Sequence, residues 1–244
     1  TSCKRDAMML EAVASLGFLQ QTYRQMDVLI QNYHRGSCNN PIFSTASAQS
    51  SRQQFTVPTL SGGVLVERFG DCRASICPAV LILSGSKGFG ATVYNEIGKK
   101  FAAAGLNAYL VMSFDTDLDA IAAAGSARAR IAYYAQRLPA WTSAVHGVAS
   151  HLSGQPRHGG KIGVLRISLG AQIASVDLSD IKALVLVDGG FPNGYRGLPL
   201  AAALLLIWGS ADKTIPLSVG KELQRMAQEL GGPVALDVYE GGGH

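Results

Sequence analysis

Three residues of this 244-residue chain combine types and settings that suit nucleophilic chemistry. Ser168 follows the largely apolar stretch 161–167 and precedes Leu-Gly-Ala. A strand that runs into Ser-x-Gly and then a helix can hold a serine on a tight turn. Its hydroxyl then stands above the sheet edge, with the positive end of the helix behind it. Such a turn needs small neighbours. Gly170 meets that need, but position 166, where a glycine is expected, holds Arg166. A plain helix-opening serine is the competing reading of this segment. Asp212 lies in Gly-Ser-Ala-Asp-Lys-Thr-Ile-Pro, just beyond the apolar run 204–208. A carboxylate there can orient a histidine, or can simply close a turn ahead of a helix. His244 follows Glu-Gly-Gly-Gly, past the last strand-like segment. On a glycine loop it can reach across a sheet to a serine, whereas a solvent-exposed chain end would have no such role. Nucleophile, acid and base in that chain order, each beyond a strand, would make a triad for acyl transfer.

Acyl transfer also needs two backbone N–H groups aimed at the developing oxyanion. Leu169, directly after Ser168, would supply one, and Ser86 in Ser-Gly-Ser-Lys-Gly-Phe-Gly (84–90) the other. That glycine-rich loop has neither P-loop nor GxGxxG spacing, so no nucleotide cofactor is expected. Asp188, in Leu-Val-Asp-Gly-Gly, also ends an apolar run and is the alternative acid, with Asp212 preferred. His146 and His151 are five apart, not the three or four of a helical metal pair, and no metal is expected. Those two and His158 read as surface residues, and His34 as a helix-end residue.

These groups need a scaffold that brings strand ends together. The run 79–83 is continuously apolar, as a strand covered on both faces must be. Further strands are expected at 107–112, 161–167, 183–187, 204–208 and 234–239, and helices at 92–104, 140–152 and 216–230. In the second helix, Trp141, Val145, Val148 and Leu152 share one face. A hairpin is expected over 55–69, turning at Ser61-Gly-Gly, and an irregular region over 113–139. Repeated βα units imply an α/β fold with a mainly parallel central sheet and helices on both faces, whose active groups sit at the carboxyl ends of the strands. Residues 1–54 read as an N-terminal helix (6–33) with a Ser/Asn/Gln-rich linker, and 55–244 as the main domain.

Composition narrows the function. Hydrophobic residues make up 48% and charged residues 16%, which excludes a disordered chain or a coiled coil. The net charge of +4 comes from scattered residues, so no nucleic-acid partner is expected. The longest apolar run, 198–208, contains Pro199 and falls short of the ~20 residues of a membrane span. Lys4, Arg5, Asp6 and Glu11 interrupt the first twenty residues, which do not resemble a signal peptide. The four cysteines suggest bridges Cys72–Cys77, across a tight turn, and Cys3–Cys38. They favour an exported (periplasmic or secreted) protein over a cytoplasmic one with free thiols.

The segments Ser86-Lys-Gly-Phe-Gly, Arg166-Ile-Ser-Leu-Gly-Ala, Ile207-Trp-Gly-Ser-Ala-Asp and Tyr239-Glu-Gly-Gly-Gly-His together resemble an α/β-hydrolase of the dienelactone hydrolase family, from about Phe55 to His244. The resemblance implies an α/β-hydrolase fold that hydrolyses small carboxylic esters or lactones without metal or cofactor. It implies Ser168 as nucleophile, Asp212 as acid and His244 as base. A thioesterase or acyltransferase on the same scaffold, or a non-catalytic binding protein, is the alternative. Phe114, Tyr133, Tyr134, Phe191 and Tyr195 are candidates for an apolar acyl pocket, with core packing as the competing role. Two departures stand out. Ser84 occupies a place where relatives carry histidine or glutamate, and Arg166 stands beside the turn. Arg166 is expected to extend along the sheet surface to an acidic partner and to leave the turn formed.

Overall fold

The computed structural model of the protein describes residues 53–70, 74–173, 181–190 and 202–244. The expected helix 6–33, most of the linker, Cys3, Cys38 and Cys72, His34, Phe191 and Tyr195 lie outside them.

Eight strands form one sheet: β1 (Gln53–Thr59), β2 (Gly62–Phe69), β3 (Ala79–Leu83), β4 (Asn107–Val111), β5 (Ile162–Ile167), β6 (Ile181–Val187), β7 (Ala203–Gly209) and β8 (Val234–Tyr239). Their spatial order is β1-β2-β4-β3-β5-β6-β7-β8. The β1–β2 hairpin and its join to β4 are antiparallel, and every later pairing is parallel. Helices α1 (Val93–Ala103), α2 (Leu118–Ala123), α3 (Ala127–Ser153), α4 (Leu169–Gln172) and α5 (Leu217–Glu229) connect them.

Strand periodicity divides the apolar runs between two layers. Leu81, Leu83, Val164, Leu184, Leu186 and Leu206 pack with Trp141, Val145 and Val148 of α3 and Leu223 of α5. Their neighbours Val80, Ile82, Leu165, Ile167, Val185 and Ile207 belong to a second cluster with Ile97 and Phe101 of α1. Both sheet faces are covered, so the central strands read as continuous apolar runs rather than alternating ones. Each such side chain removed from water contributes roughly 1.5–3 kcal/mol.

Most element boundaries fall within a residue or two of the sequence expectation. The exception is α3, which begins at Ala127 instead of 140 and absorbs much of the region expected to be irregular. The irregular region was expected to end at Pro139, because an interior proline removes an N–H donor and crowds the preceding turn, yet Pro139 lies inside α3. Ser126 caps the start by accepting from the Ala129 amide at 3.1 Å. Tyr133, Tyr134 and Leu138 pack this first half against the core.

At the amino ends of the parallel strands, His158 is fully buried, which corrects its reading as a surface residue. It follows Pro156 on a short 3-10 turn that folds under the sheet. Its Nδ1 is 2.7 Å from the Cys77 carbonyl oxygen and its Nε2 3.0 Å from the Tyr109 hydroxyl. Burial holds its pKa below the ordinary histidine value. Spacing along a helix does not reveal that a connection beyond it turns inward. Cys77 is disulfide-bonded.

Candidate active site

The turn after β5 has the conformation that the sequence suggested. Ser168 has φ +52° and ψ −112°, strained for a side-chain-bearing residue. Its N–H donates to Val187 O at 2.9 Å, tying the end of β5 to the end of β6. Gly170 is sterically required. A Cβ there would lie 2.8 Å from both Leu83 O and Ser84 O. The Gly170 N–H donates to Ser84 O at 3.1 Å, so the 84–90 loop and the serine turn are hydrogen-bonded to each other.

Arg166 does not run along an open surface. It sits in register between Leu83 and Leu186, on the same face of β5 as Ile162 and Val164. That face is roofed by helices, and the side chain is 0% exposed and partnered within the protein. The expectation treated the residue before the turn as a rim position, whereas in this sheet it is interior. The turn is formed with the arginine in place.

Asp212 follows β7 on a turn whose first link is its own N–H to Gly209 O, at 3.2 Å. Its two carboxylate oxygens have separate partners. Oδ1 accepts from the Thr214 and Ile215 amides at 2.7 and 2.9 Å, while Oδ2 lies 2.8 Å from His244 Nδ1. Turn closure and histidine orientation, weighed as alternatives in the sequence, coexist in one side chain. His244 Nε2 is 2.7 Å from Ser168 Oγ. A carboxylate can only accept, so the Nδ1 proton faces Asp212 and Nε2 faces the serine hydroxyl with its lone pair. Both ring nitrogens are thereby engaged. The Asp212 side chain is fully buried and that of His244 is 21% exposed.

Backbone contact between two loops fixes the histidine. Gly242 N–H donates to Tyr239 O at 3.0 Å, and Ala211 N–H to Gly242 O at 2.8 Å. Ser210 Oγ accepts from the Gly241 N–H at 2.9 Å and donates to Glu240 at 3.0 Å. The glycine loop is therefore an ordered hairpin-like return stitched to the end of β7.

Asp188 also belongs here. Its Oδ1 accepts from the Gly209 N–H at 3.0 Å, and it is 2% exposed. One donor atom each of Asp188, Asp212 and His244 lie within 4.8 Å of one another. On sequence the two were alternative acids, with Asp212 preferred. The structure brings both to the histidine.

The region before and within α3 is tied together and reaches the 84–90 loop. Asp117, on the short 3-10 turn Asp115–Asp117, accepts from Tyr133 and Trp141 at 2.6 Å each and pairs with Arg137. Burial pushes its pKa up, but those hydrogen bonds and the Arg137 charge outweigh it and hold the carboxyl below its ordinary range. This anchor went unnoticed in the sequence, because an Asp amid acidic and apolar residues carries no motif. The adjoining Leu118 packs on Gly88, where a Cβ would meet its Cδ1 at 2.8 Å. Tyr94 holds the 84–90 loop from the other side, its hydroxyl accepting from the Gly85 N–H at 3.1 Å. Phe114 is buried against Trp141, with ring centroids 5.3 Å apart, so it is a core residue rather than an open pocket wall.

Comparison with known proteins was made at the level of sequence and of structure. No protein-family model matches the sequence, and no curated protein matches it. Solved structures do match. A Klebsiella pneumoniae protein assigned as a dienelactone hydrolase has a TM-score of 0.64 at 14% identity, over 79% of this chain and 86% of that one. Thermogutta terrifontis esterase 2, phosphonylated by cyclosarin, has a TM-score of 0.54 at 14% identity, over 83% of this chain and 88% of that one. Pyrococcus horikoshii acylaminoacyl peptidase has a TM-score of 0.57 at 15% identity, over 80% of this chain and 38% of the peptidase. With its eight-stranded, mostly parallel sheet and these structural neighbours, the chain has the α/β-hydrolase fold.

Proposed function

We propose that the protein is a serine hydrolase of dienelactone hydrolase type, cleaving small carboxylic esters or lactones through an acyl-enzyme. The hydrolase unit spans residues 55–244. The observation that carries this reading is the unbroken hydrogen-bonded path from Ser168 Oγ through the His244 ring to Asp212, at 2.7 and 2.8 Å, with the serine on a strained turn. His244 Nε2 takes the Ser168 proton as the hydroxyl oxygen attacks the acyl carbon. Asp212 stays ionised and holds the imidazolium. The oxyanion meets the Leu169 and Ser86 amides. Other N–H groups nearby are committed: Gly85 to Tyr94, Gly88 to Gly85 O, and Gly170 to Ser84 O. Leu169, as the first residue of α4, has an amide with no intrahelical partner. His244 then returns the proton to the leaving alkoxide, and water repeats the sequence to free the acid. None of these steps calls on a metal or cofactor.

Triad chemistry does not select the acyl acceptor or the leaving group. The likeness to an acylaminoacyl peptidase favours an amide-cleaving alternative on the same residues. The test is a panel of p-nitrophenyl esters of graded acyl length, a lactone and acylaminoacyl amides, with a fluorophosphonate probe alongside. The expected result is ester turnover and labelling at Ser168, both lost in Ser168→Ala. Turnover or labelling that survives Ser168→Ala overturns the assignment. An inert wild-type serine returns the chain to the non-catalytic alternative.

A further inference from the structure

The structure holds two buried carboxylates beside one imidazole, and a single triad uses only one of them. Asp188 carries further marks of a functional position. Its φ is +44°, and among the described residues the other non-glycine at positive φ is Ser168. Such conformations persist where the surroundings impose them, and they gather at active sites. The two strained residues end adjacent strands. Ser168 N–H donates to Val187 O, and Asp188 N–H donates to Ile207 O, both at 2.9 Å. The backbone thus delivers the Asp188 carboxylate to the same place as Asp212, with donor atoms of both within 4.8 Å of each other and of the His244 ring.

We propose that Asp188 is a positioning residue acting on His244, a second carboxylate that stabilises the imidazolium formed during acyl transfer and holds the ring when Asp212 is uncharged. The catalytic part of this rests on the serine hydrolase reading above. When the Ser168 proton moves to Nε2, the ring gains a positive charge and no carboxylate takes a proton. An imidazolium formed within reach of two buried carboxylates is favoured by both. Among the described residues, the buried cation nearest in register is Arg166, paired with Leu186 two residues before Asp188. Glu240 is exposed and bonded to Ser210, and Lys213 is exposed. Asp188 Oδ1 also has a structural task, as the acceptor for Gly209 N–H. Asp188→Asn can keep that acceptor through its amide oxygen while it removes the charge, so the His244 titration, and not stability, reads the positioning role.

The experiment titrates the His244 ring by NMR in the wild type, Asp188→Asn, Asp212→Asn and the double variant, and measures ester hydrolysis against pH in each. In Asp188→Asn the acid limb of kcat/KM, and the His244 ring titration with it, is expected to move to lower pH than in the wild type. Asp212→Asn is expected to keep roughly 100-fold more activity than the double variant, because Asp188 still serves the ring. Asp188→Asn with an unchanged His244 titration, or Asp212→Asn as inactive as the double variant, overturns the proposal. If Asp188→Asn fails to fold, Asp212→Asn decides. It should keep turnover well above the Ser168→Ala background, and turnover at that background overturns the proposal. Failure of the hydrolase reading itself looks different. The wild type would then neither turn over an ester nor label at Ser168, while the NMR titration still reports on Asp188 and His244.

Discussion

His244 and His158 share one hydrogen-bond pattern at opposite ends of the sheet. Each ring sets Nδ1 against an acceptor oxygen and Nε2 against a hydroxyl. For His244 these are Asp212 and Ser168, and for His158 the Cys77 carbonyl and Tyr109. What differs is charge, access and strain. The acceptor behind His244 is a carboxylate, with a second one nearby. Behind His158 it is a neutral carbonyl in a fully buried setting, and burial favours the uncharged ring. Ser168 stands on a strained turn beyond its strand, whereas Tyr109 is buried within β4. A hydroxyl–imidazole–acceptor chain is therefore a structural clamp in one place and, under the reading proposed here, a proton relay in the other.

The comparison breaks most visibly at the two histidines. His244→Gln should lower kcat/KM on an activated ester by roughly a thousandfold or more, the scale of losing a triad member. His158→Gln should leave it within about threefold, as read from p-nitrophenyl butyrate hydrolysis. A large activity loss in His158→Gln would erase the distinction. Asp117 supplies a buried carboxylate of the clamping kind. Asp117→Ala strands the Tyr133, Trp141 and Arg137 donors and should cost about 3 kcal/mol in urea unfolding. It should also loosen Leu118 from Gly88 and raise KM.

His158→Gln should cost about 2 kcal/mol at pH 8. Its pH dependence has a definite sign. The folded pKa is depressed, so the unfolded chain binds more protons once the pH falls below about 6.5, and wild-type stability declines in that direction. In the variant, unfolding between pH 6.5 and 5 should be less pH-dependent. The smallest effect belongs to Asp115, whose pKa is raised to about 6 by burial and by nearby Glu67. Its folded form prefers the proton, so stability falls as pH rises from about 4 to 6. Asp115→Asn should add about 1 kcal/mol at pH 7.5, discounted for partial exposure, and nothing below pH 3.5. Melting curves at the two pH values decide it.

That Ser168, Asp212 and His244 lie beyond strand ends was legible because each follows a strand-like run, and apolar runs are what a two-sided sheet requires. Gly170 was legible because a tight turn needs a small neighbour, whereas the need for glycine at 189 and 209 shows only in the packing. What stayed hidden depended on packing across long sequence separations. Nothing local tells that Arg166 faces a roofed layer, that residues 156–158 turn His158 inward, or that Asp188 and Asp212 converge on one ring. Pro139 misled for a different reason. Its local penalty is real, but the tertiary contacts of Tyr133, Tyr134 and Leu138 outweigh it.

The glycines around the serine turn have a consequence for how this gene tolerates change. A Cβ would lie 2.8 Å from two carbonyl oxygens at Gly170, 2.7 Å from Ser168 O at Gly189, and 2.4 Å from Gly242 O at Gly209. All four obstacles are backbone oxygens, which cannot rotate aside. In a complete substitution library selected only for soluble expression, these three codons should be depleted of every alternative, alanine included. Ser168 and His244 should accept many replacements under the same selection. The pattern of intolerance would then outline the scaffold of the site in a screen that never measures turnover.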